Sequence, residues 1–328
     1  MNSVEPNSAD DVTVAVPMAG FPLDYPADHR AGFACFVGRP NVGKSTLTNA
    51  LVGSKVAITS NRPQTTRHAV RGIVHRDGKA QLVLVDTPGL HRPRTVLGAR
   101  LNDIVRATWS EVDVIALCIP ADQPVGPGDR FIAAELARLT TQPRSRRSVF
   151  AVVTKTDLVD RDRLAEQLIA VSALGEFAEI VPVSATAGDQ VDLLADLLVA
   201  ELPVSPPLYP SGELTDEPEQ VMVAELIREA ALEGVRDELP HSVAVVVEEM
   251  GPRAGRDNLL DIYANVYVER SSQKAIILGA RGARMKQIGT TSRQHIEALL
   301  GMRVYLDLHV KIAKDWQRDP RQLRRLGF

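Results

Sequence analysis

The apolar and polar positions of this chain follow two patterns, and the change falls near residue 203. Before it, short apolar runs alternate with stretches of helical periodicity; the runs are FACFV, QLVLVD, VDVIALCIP, SVFAVVTK and EIVPVSA. Buried strands that alternate with helices are typical of βα units on a mostly parallel sheet, and ligand loops follow the carboxyl ends of such strands. We therefore predict an α/β domain whose functional residues lie in the loops after these runs.

The rest of the chain has a different order of elements. Residues 203–218 are rich in Pro and Gly, as in a semi-rigid linker, and a helical run, two strand-like runs, a glycine-punctuated helical stretch and a last strand-like run follow. The order α-β-β-α-α-β indicates a small α+β module. The predicted organisation is a flexible N-terminal extension at 1–30, the α/β domain at 31–203, the linker at 204–218 and the α+β module at 219–328.

Composition narrows the class of protein. The 328 residues favour two domains, and 45% apolar with 24% charged residues is ordinary for a globular chain. No apolar run approaches the roughly 20 residues that span a bilayer, and the first thirty positions lack the pattern of a secretory signal. Cys35 and Cys118 lie in strand-like runs without a CxxC pair, which favours buried thiols in a reducing compartment. We expect a cytoplasmic protein that is not integral to a membrane.

Charge is distributed unevenly along the chain. The formal net charge is -3, yet from Arg270 to the end 13 Lys or Arg residues stand against four acids. A basic module on an acidic remainder is what an anionic partner of that module alone would require.

The first candidate site follows the first apolar run. Residues 38–45, GRPNVGKS, match the G-x-x-x-x-G-K-S/T phosphate loop in the strand-then-helix context that the motif requires. Lys44 is predicted to contact the β- and γ-phosphates, and Ser45 is predicted to bind magnesium, while the helix start faces the phosphates. The residues assigned to the loop and its helix start are Gly38, Asn41, Val42, Gly43, Lys44, Ser45 and Thr46.

Two further segments complete the predicted phosphate and magnesium site. Asp86, in the DTPG sequence after QLVLV, is predicted to hold magnesium through water, and the N–H of Gly89 is predicted to face the γ-phosphate. The polar segment 61–68 has the character of a switch, and we favour Thr66 over Thr65 as its magnesium ligand. The predicted metal set is Ser45, Thr66 and Asp86, and the predicted catalytic set is Lys44, Thr66 and Gly89.

The choice of purine is assigned to the loop TKTD. Asp157 offers only acceptors, which suits the N1–H and N2–H2 donors of guanine and mismatches adenine. Thr154 and Lys155 precede it, and the stem of the lysine can lie along the base plane. Ser184 and Ala185, after the last apolar run, are predicted to bring a backbone N–H to the guanine O6. GTP or GDP with Mg²⁺ is therefore the predicted cofactor set.

With these segments in order, residues 31–203 resemble the translation-factor-like GTPases, and the whole chain resembles the Era family. Besides DTPG, the resemblance rests on PQTTRH, TDEP, ELPHSVAV and ILGARGARMKQIG, and it covers about nine-tenths of the sequence. It implies a P-loop GTPase domain followed by a type II KH domain, and GTP hydrolysis. Two positions depart from common GTPase patterns. Thr154 stands where Asn is usual and lacks the carboxamide that ties this loop to the phosphate loop, so a reduced nucleotide affinity is expected. Leu90 stands where many GTPases have a water-orienting glutamine, and no general base is identifiable. Slow intrinsic hydrolysis is therefore expected.

The predicted RNA site is a GxxG loop between two helical segments. Paired glycines let backbone N–H groups approach a nucleic acid, and a KH clamp takes about four unpaired nucleotides. A helix–helix turn is the alternative interpretation of an isolated GxxG. The residues assigned to RNA are Gly279, Ala280, Arg281, Gly282, Arg284 and Lys286. The basic C-terminal stretch KDWQRDPRQLRRLGF is either RNA-facing or merely solvated.

The resemblance also implies the partners: the 3′ end of small-subunit ribosomal RNA and the 30S subunit, in small-subunit assembly. The leading hypothesis is a monomeric switch in which the γ-phosphate reorients the KH domain. Two other hypotheses remain open, an RNA-binding scaffold with a structural nucleotide and a phosphotransferase or ATPase that uses the same phosphate loop. Family members have been associated peripherally with the inner face of the cell membrane, so such a contact is a further expectation.

Overall fold

A computed structural model describes residues 25–59, 65–90, 95–140, 147–233 and 242–328. In its first part, a six-stranded sheet has the order β2-β3-β1-β4-β5-β6, and all neighbouring pairs are parallel except β2 with β3. The strands are β1 (Arg30–Val37), β2 (Val70–Arg76), β3 (Ala80–Asp86), β4 (Val114–Pro120), β5 (Ser148–Thr154) and β6 (Ile180–Val183). The predicted α/β fold with a mostly parallel sheet is confirmed.

Helices cover both faces of this sheet. They are α1 (Lys44–Val52), α2 (Val96–Glu111), α3 (Pro127–Thr140), α4 (Arg161–Ser172) and α5 (Val191–Ala200). Alternate residues of β1 enter two separate cores, because successive side chains of a strand point to opposite faces. Phe36 packs with α1 and α5, whereas Cys35 packs with α2, α3 and α4. Both cysteines are fully buried, as predicted, and burial raises the pKa of the Cys118 thiol to about 12.

Strand β2 was not predicted, because only the centre of VRGIVHR is apolar. It pairs antiparallel with β3 at the edge of the sheet, and Ile73 and Val74 are its buried residues. A Cβ at Gly72 would lie 2.7 Å from Val52 Cγ2 and 3.3 Å from Thr48 Cγ2. The absent side chain therefore lets α1 pack closely on this strand.

The predicted N-terminal boundary of the α/β domain needs adjustment. The flexible extension was predicted to reach residue 30, but Arg30 begins β1, and His29 is buried with its Nδ1 2.7 Å from the carbonyl oxygen of Ser205. Residues 1–24 lie outside the described part. The linker lies against β2 and β3: the N–H of Ile73 donates to the carbonyl oxygen of Leu214, and the side-chain oxygen of Gln81 accepts from the N–H groups of Leu208 and Tyr209.

The C-terminal module has the predicted order of elements. They are α6 (Glu219–Leu232), β7 (Ala244–Arg253), β8 (Arg256–Val268), α7 (Ser271–Leu278), α8 (Ala283–Leu300), β9 (Arg303–Ile312) and the short α9 (Pro320–Arg325). The sheet order is β7-β8-β9, with β7 antiparallel and β9 parallel to β8. One face packs on α6, α7 and α8, and the C-terminal segment packs on the other face. Within the described residues, no helix is long and apolar enough to cross a membrane.

Candidate functional site

The loop between β1 and α1 leads directly into the amino end of α1. Asn41 and Gly43 have positive φ values of 64° and 99°, and a Cβ on Gly38 would lie 2.6 Å from the carbonyl oxygen of Cys118. Lys44 is buried, with Nζ 3.2 Å from the carbonyl oxygen of Arg39. Burial lowers the pKa of Lys44, and the Asp86 carboxylate opposes that effect. A buried cation beside a helix amino end is suited to bind a polyphosphate.

A polar cleft opens over this loop. It is lined by several of the predicted phosphate residues together with Thr65 and Thr66 of the switch segment. Its lining consists of Pro40, Asn41, Gly43, Lys44, Ser45, Thr46, Thr59, Thr65, Thr66 and Gly89. Val42 is outside this lining, because its side chain is buried in the core and only its backbone belongs to the loop. Residues 61–64 of the predicted switch lie outside the described part of the chain.

The three predicted metal ligands converge on one point. Asp86 Oδ2 accepts hydrogen bonds from Ser45 Oγ at 2.6 Å and from Thr66 Oγ1 at 3.1 Å, and the two hydroxyl oxygens are 3.0 Å apart. Asp86 is fully buried, and its Oδ1 has no hydrogen-bond partner among the described residues. Burial raises the pKa of Asp86, while Ser45, Lys44 and Thr66 hold it down. Hard oxygen donors around an unsatisfied buried carboxylate fit Mg²⁺ and its water.

Gly89 lies directly against the phosphate loop. A Cβ at this position would stand 2.7 Å from the backbone nitrogen of Pro40, so any side chain would push the two loops apart. The next residue, Leu90, donates its N–H to the carbonyl oxygen of Gly38 at 3.3 Å, and its side chain is buried in the core on the α2 side. An apolar, buried side chain has no group that could orient or deprotonate a water, so Leu90 contributes to packing.

The purine-reading loop is held from two sides. Ser184 Oγ, which is fully buried, donates to Asp157 Oδ1 at 2.6 Å and so orients the carboxylate. Lys155 adopts a left-handed conformation with φ 58°, and its Nζ lies 3.6 Å from Asp122 Oδ2. Ala185 directly follows Ser184 at the end of β6. The structure therefore brings together every residue predicted for base recognition.

Thr154 makes the connection that was expected to be absent. Its Oγ1 donates to the carbonyl oxygen of Val42 in the phosphate loop at 2.5 Å, and Thr154 is buried. The usual carboxamide was expected to be the group that ties these loops. A hydroxyl performs this task here, because one donor is enough to satisfy one carbonyl oxygen.

A buried ion pair behind the phosphate loop was not predicted. Arg39 Nε donates to Asp129 Oδ1 at 2.7 Å, and Asp129 is fully buried. The second oxygen of Asp129 accepts from the N–H of Gly126. This pair fixes the phosphate loop to the start of α3. No local sequence signal links two residues 90 positions apart.

The switch segment is also tied to the C-terminal module. Arg67, next to Thr66, is buried and donates to the carbonyl oxygen of Val243 at 2.6 Å. Its guanidinium carbon lies 5.6 Å from the centre of the Trp316 ring and 5.5 Å from that of Phe328. His68 stacks on Phe328, with ring centres 5.2 Å apart. We call Arg67, His68, Val243, Trp316 and Phe328 the aromatic clasp.

Helix α6 supplies a second tie. Arg228, almost fully buried, donates to the carbonyl oxygen of Thr65 and pairs with Glu225. Glu229 accepts from the N–H of Thr59 at 2.8 Å and pairs with Lys55. These two adjacent charged residues of α6 therefore hold the backbone at Thr59 and at Thr65, before and within the switch segment. Sequence reasoning missed them, although consecutive charges at core positions of a helix were a usable signal.

The predicted RNA loop has the conformation of a tight turn between two helices. Gly279, Arg281 and Gly282 have φ values of 70°, 52° and 78°, and Arg281 is exposed. Ala280 and Lys286 are exposed as well. The guanidinium of Arg284 instead donates to the carbonyl oxygens of Ala231 and Glu233 at the end of α6. Arg284 therefore positions the loop in this structure, while Arg281 and Lys286 present their charges to solvent.

Comparison with known proteins supports a GTPase domain in the first part of the chain and a KH domain in the second. Residues 33–155 match the family model described as 50S ribosome-binding GTPase, and residues 238–317 match that of the KH domain. The chain is 72% identical to GTPase Era of Streptomyces coelicolor over 308 residues, 92% of this chain and 95% of that protein. It is 64% identical to GTPase Era of Mycolicibacterium smegmatis over 92% of this chain and 99% of that protein.

Two solved structures resemble the fold over nearly the whole chain. One is an Era variant of Aquifex aeolicus bound to GDP·AlF4⁻, and the other is Era in complex with MgGDPNP and nucleotides 1506–1542 of 16S ribosomal RNA. Each has a TM-score of 0.85 and 36% identity, and covers 91% of this chain and 99% of the other.

The phosphate loop on a mostly parallel sheet, followed by a KH module, defines the chain as a P-loop GTPase with an attached RNA-binding type of domain. With relatives this similar over nine-tenths of its length, the class can be narrowed. The chain belongs to the Era family of GTPases.

Proposed function

We propose that this protein is a magnesium-dependent switch that binds and hydrolyses GTP, binds single-stranded RNA through its KH domain and acts in assembly of the small ribosomal subunit. One observation carries the switch: Thr66, which meets Ser45 and Asp86 at the magnesium position, is followed by Arg67, which is buried against the KH domain. Two adjacent residues therefore link the nucleotide site to the RNA-binding domain.

The nucleotide chemistry follows from the contacts within the site. Lys44 and the amino end of α1 would neutralise the phosphates, and bound Mg²⁺ would add charge stabilisation of the transferring phosphoryl group. Ser45, Thr66 and Asp86 supply its oxygen surroundings. Leu90 offers no base, so hydrolysis relies on positioning and remains slow until a partner adds a group. Asp157, oriented by Ser184, selects guanine over adenine.

The proposal for the RNA ligand rests on the geometry of the glycine loop and on a solved relative. The exposed Arg281 and Lys286 flank a glycine turn that suits about four unpaired nucleotides. The relative bound to a 16S ribosomal RNA fragment supports the 3′ end of small-subunit ribosomal RNA as the ligand and the 30S subunit as the site of action.

The test is to measure RNA affinity in two nucleotide states. A fluorescent oligonucleotide with the sequence of the 3′ end of small-subunit ribosomal RNA is titrated against the protein with Mg²⁺ and either GDP or a non-hydrolysable GTP analogue. We expect a difference of about 5- to 150-fold, the usual range of coupling between two sites. Equal affinities would remove the switch and leave an RNA-binding GTPase. The variant Arg281→Gln is the control that should weaken binding in both states.

Location and assembly state are part of the proposal. We propose a cytoplasmic monomer, with peripheral contact at the inner face of the cell membrane as a secondary site. The two buried cysteines form no disulfide, which is typical of a reducing compartment and supports the cytoplasmic location. Sedimentation velocity of the purified protein and flotation with anionic vesicles test the two statements separately. A dimer in the first measurement, or no vesicle binding in the second, would contradict them.

A further inference from the structure

We propose that the exposed cations of the C-terminal segment form a second RNA-binding surface, which takes the phosphate backbone of RNA continuing beyond the nucleotides held at the glycine loop. This inference rests on the proposed RNA-binding function. The proposed surface lies in the C-terminal segment, outside the glycine loop to which RNA binding was assigned.

The position of the segment separates it from the glycine loop. Helices α7 and α8, which flank that loop, pack on one face of the β7-β8-β9 sheet. Trp316 and Leu323 pack on the opposite face, against Ala244 and Tyr267. The cations around them therefore lie on the other side of the sheet from Arg281. One stretch of RNA that touches both surfaces has to be longer than the KH clamp alone accommodates.

The surface is rich in cations that have no acidic partner. All six are exposed, and none forms an ion pair among the described residues. Its members are Lys311, Lys314, Arg318, Arg321, Arg324 and Arg325. Asp315 and Asp319 are the acids within this stretch, and Asp319 caps α9 by accepting from the N–H of Arg321 at 2.8 Å.

Several arginines of the α/β domain are paired with acids. Arg138 pairs with Glu135 at 2.6 Å, Arg163 with Glu166 at 3.0 Å, and Arg76 with Asp192 at 2.9 Å. A merely solvated surface helix commonly carries such alternating charges. The C-terminal segment lacks this pattern, which favours a partner that supplies the negative charge.

The arrangement within α9 gives a physical reason for such a partner. Arg321, Arg324 and Arg325 share one face, because residues three and four apart are neighbours on a helix, and like charges at that spacing repel. Arg324 and Arg325 lie in the last turn, where the helix dipole favours cations, but Arg321 lies in the first turn, where it does not. Bound phosphates would relieve the repulsion at all three positions.

RNA fits this surface better than a lipid bilayer does. Leu323 of α9 and Leu326 directly after it are buried against the protein, with 0% and 6% of their surface exposed. The helix therefore has no apolar face to insert into acyl chains, which an interfacial helix needs. A surface that offers only charge suits a phosphodiester backbone, which binds by counterion release and not by sequence.

The experiment compares a short and a long RNA. The variant Arg318→Gln/Arg321→Gln/Arg324→Gln removes three cations whose side chains form no ion pair within the described part of the chain. For a strand of about four nucleotides, the length of the KH clamp, we expect unchanged affinity. For a strand several times longer we expect weaker binding at low salt. The slope of log K against log salt should flatten by about 2, since each phosphate contact on a single strand contributes about 0.7.

A matched control removes the same charge elsewhere. Arg130→Gln/Arg138→Gln/Arg163→Gln takes three arginines from α3 and α4, two exposed and one half-buried, and we expect it to leave the long-RNA salt slope as it is. A loss equal to that of the C-terminal variant would reduce the effect to net charge and overturn the proposal. Unchanged long-RNA affinity in the C-terminal variant, with reduced binding to anionic vesicles, would overturn it in favour of a membrane.

The outcomes also separate this surface from the proposed function. Absence of any RNA binding by the unaltered protein would contradict the function and the surface together. Retained short-RNA binding with identical long-RNA affinities in the two triple variants would contradict only the surface. Circular dichroism and thermal unfolding of each variant check that the module remains folded.

Discussion

At the scale of the residue, Thr154 illustrates how one donor can replace a larger group. An asparagine amide has two N–H donors, and a threonine hydroxyl has one. The hydroxyl of Thr154 is committed to the carbonyl oxygen of Val42, so the two loops around the nucleotide remain joined. Threonine at this position therefore keeps the hydrogen bond between the two loops and lacks the second N–H donor of asparagine.

Replacing Thr154 by Val tests that tie. The side chain keeps its shape, and the buried carbonyl oxygen of Val42 loses its donor, which costs about 1–3 kcal/mol. We expect GDP and GTP affinities to fall together by roughly tenfold, since about 1.4 kcal/mol corresponds to that factor. Thr154→Asn, which restores a donor to the loop, should keep the unaltered affinity or exceed it. Fluorescent nucleotide titration measures both, and an unaltered affinity in the Val variant would contradict the role.

Motif residues could be predicted from the sequence, and their partners could not. Lys44, Ser45, Asp86 and Asp157 belong to short patterns whose chemistry requires fixed spacing. Lys44 and Ser45 line the phosphate cleft, Asp86 accepts from Ser45, and Asp157 accepts from Ser184. The residues that hold the motifs in place follow no local pattern, because a buried charge is tolerated wherever a distant segment satisfies it. Arg67 is such a case, with its acceptor at Val243.

At the scale of the element, apolar periodicity predicted the strands that are buried on both faces. It missed β2, an edge strand with only two buried apolar residues, because the pairing with β3 and not its own pattern fixes it. It also left open the role of the C-terminal stretch, in which a three-residue turn and a six-residue helix are too short for a period to emerge. Trp316 is fully buried there by contact with α2 and β8.

The aromatic clasp has a consequence for stability against pH. Burial lowers the pKa of His68; Glu225 opposes this, and Arg228 and Arg67 add to it. A histidine with a lowered pKa binds its proton less readily in the folded state than in the unfolded chain. The stability it contributes is therefore present above the ordinary pKa of about 6.5 and is lost as the pH falls below it.

We expect the free energy of unfolding to decline between pH 7 and pH 5 in the unaltered protein. In His68→Phe the decline should be smaller, because the ring still stacks on Phe328 and no longer titrates. Urea denaturation at a series of pH values measures the difference. His309→Gln, at an exposed position on β9, is the matched control. Identical pH profiles for His68→Phe and the unaltered protein would contradict a titrating clasp.

At the scale of the whole molecule, the two domains meet through the nucleotide-sensing segments. Residues 65–68 contact α6, the start of β7 and the C-terminal aromatic rings, and Leu97 and Leu101 of α2 pack on Trp316 and Leu323. Residues 65–68 and helix α2 therefore both contact the KH domain. A change at Thr66 can reach the C-terminal segment through one side chain, Arg67.

Hydrogen exchange can follow this connection directly. With Mg²⁺ and a GTP analogue, Thr66 is held beside Ser45 and Asp86, and we expect slower amide exchange at residues 242–246 and 316–328 than with GDP. In Arg67→Met that distant difference should vanish, because both the hydrogen bond to Val243 and the cation–π contacts are lost, while α1 still responds to nucleotide. Arg71→Met is the matched control, since Arg71 pairs with Asp216 of the linker and not with the clasp. A nucleotide response at residues 316–328 that survives Arg67→Met would show that another route, such as α2, carries the signal.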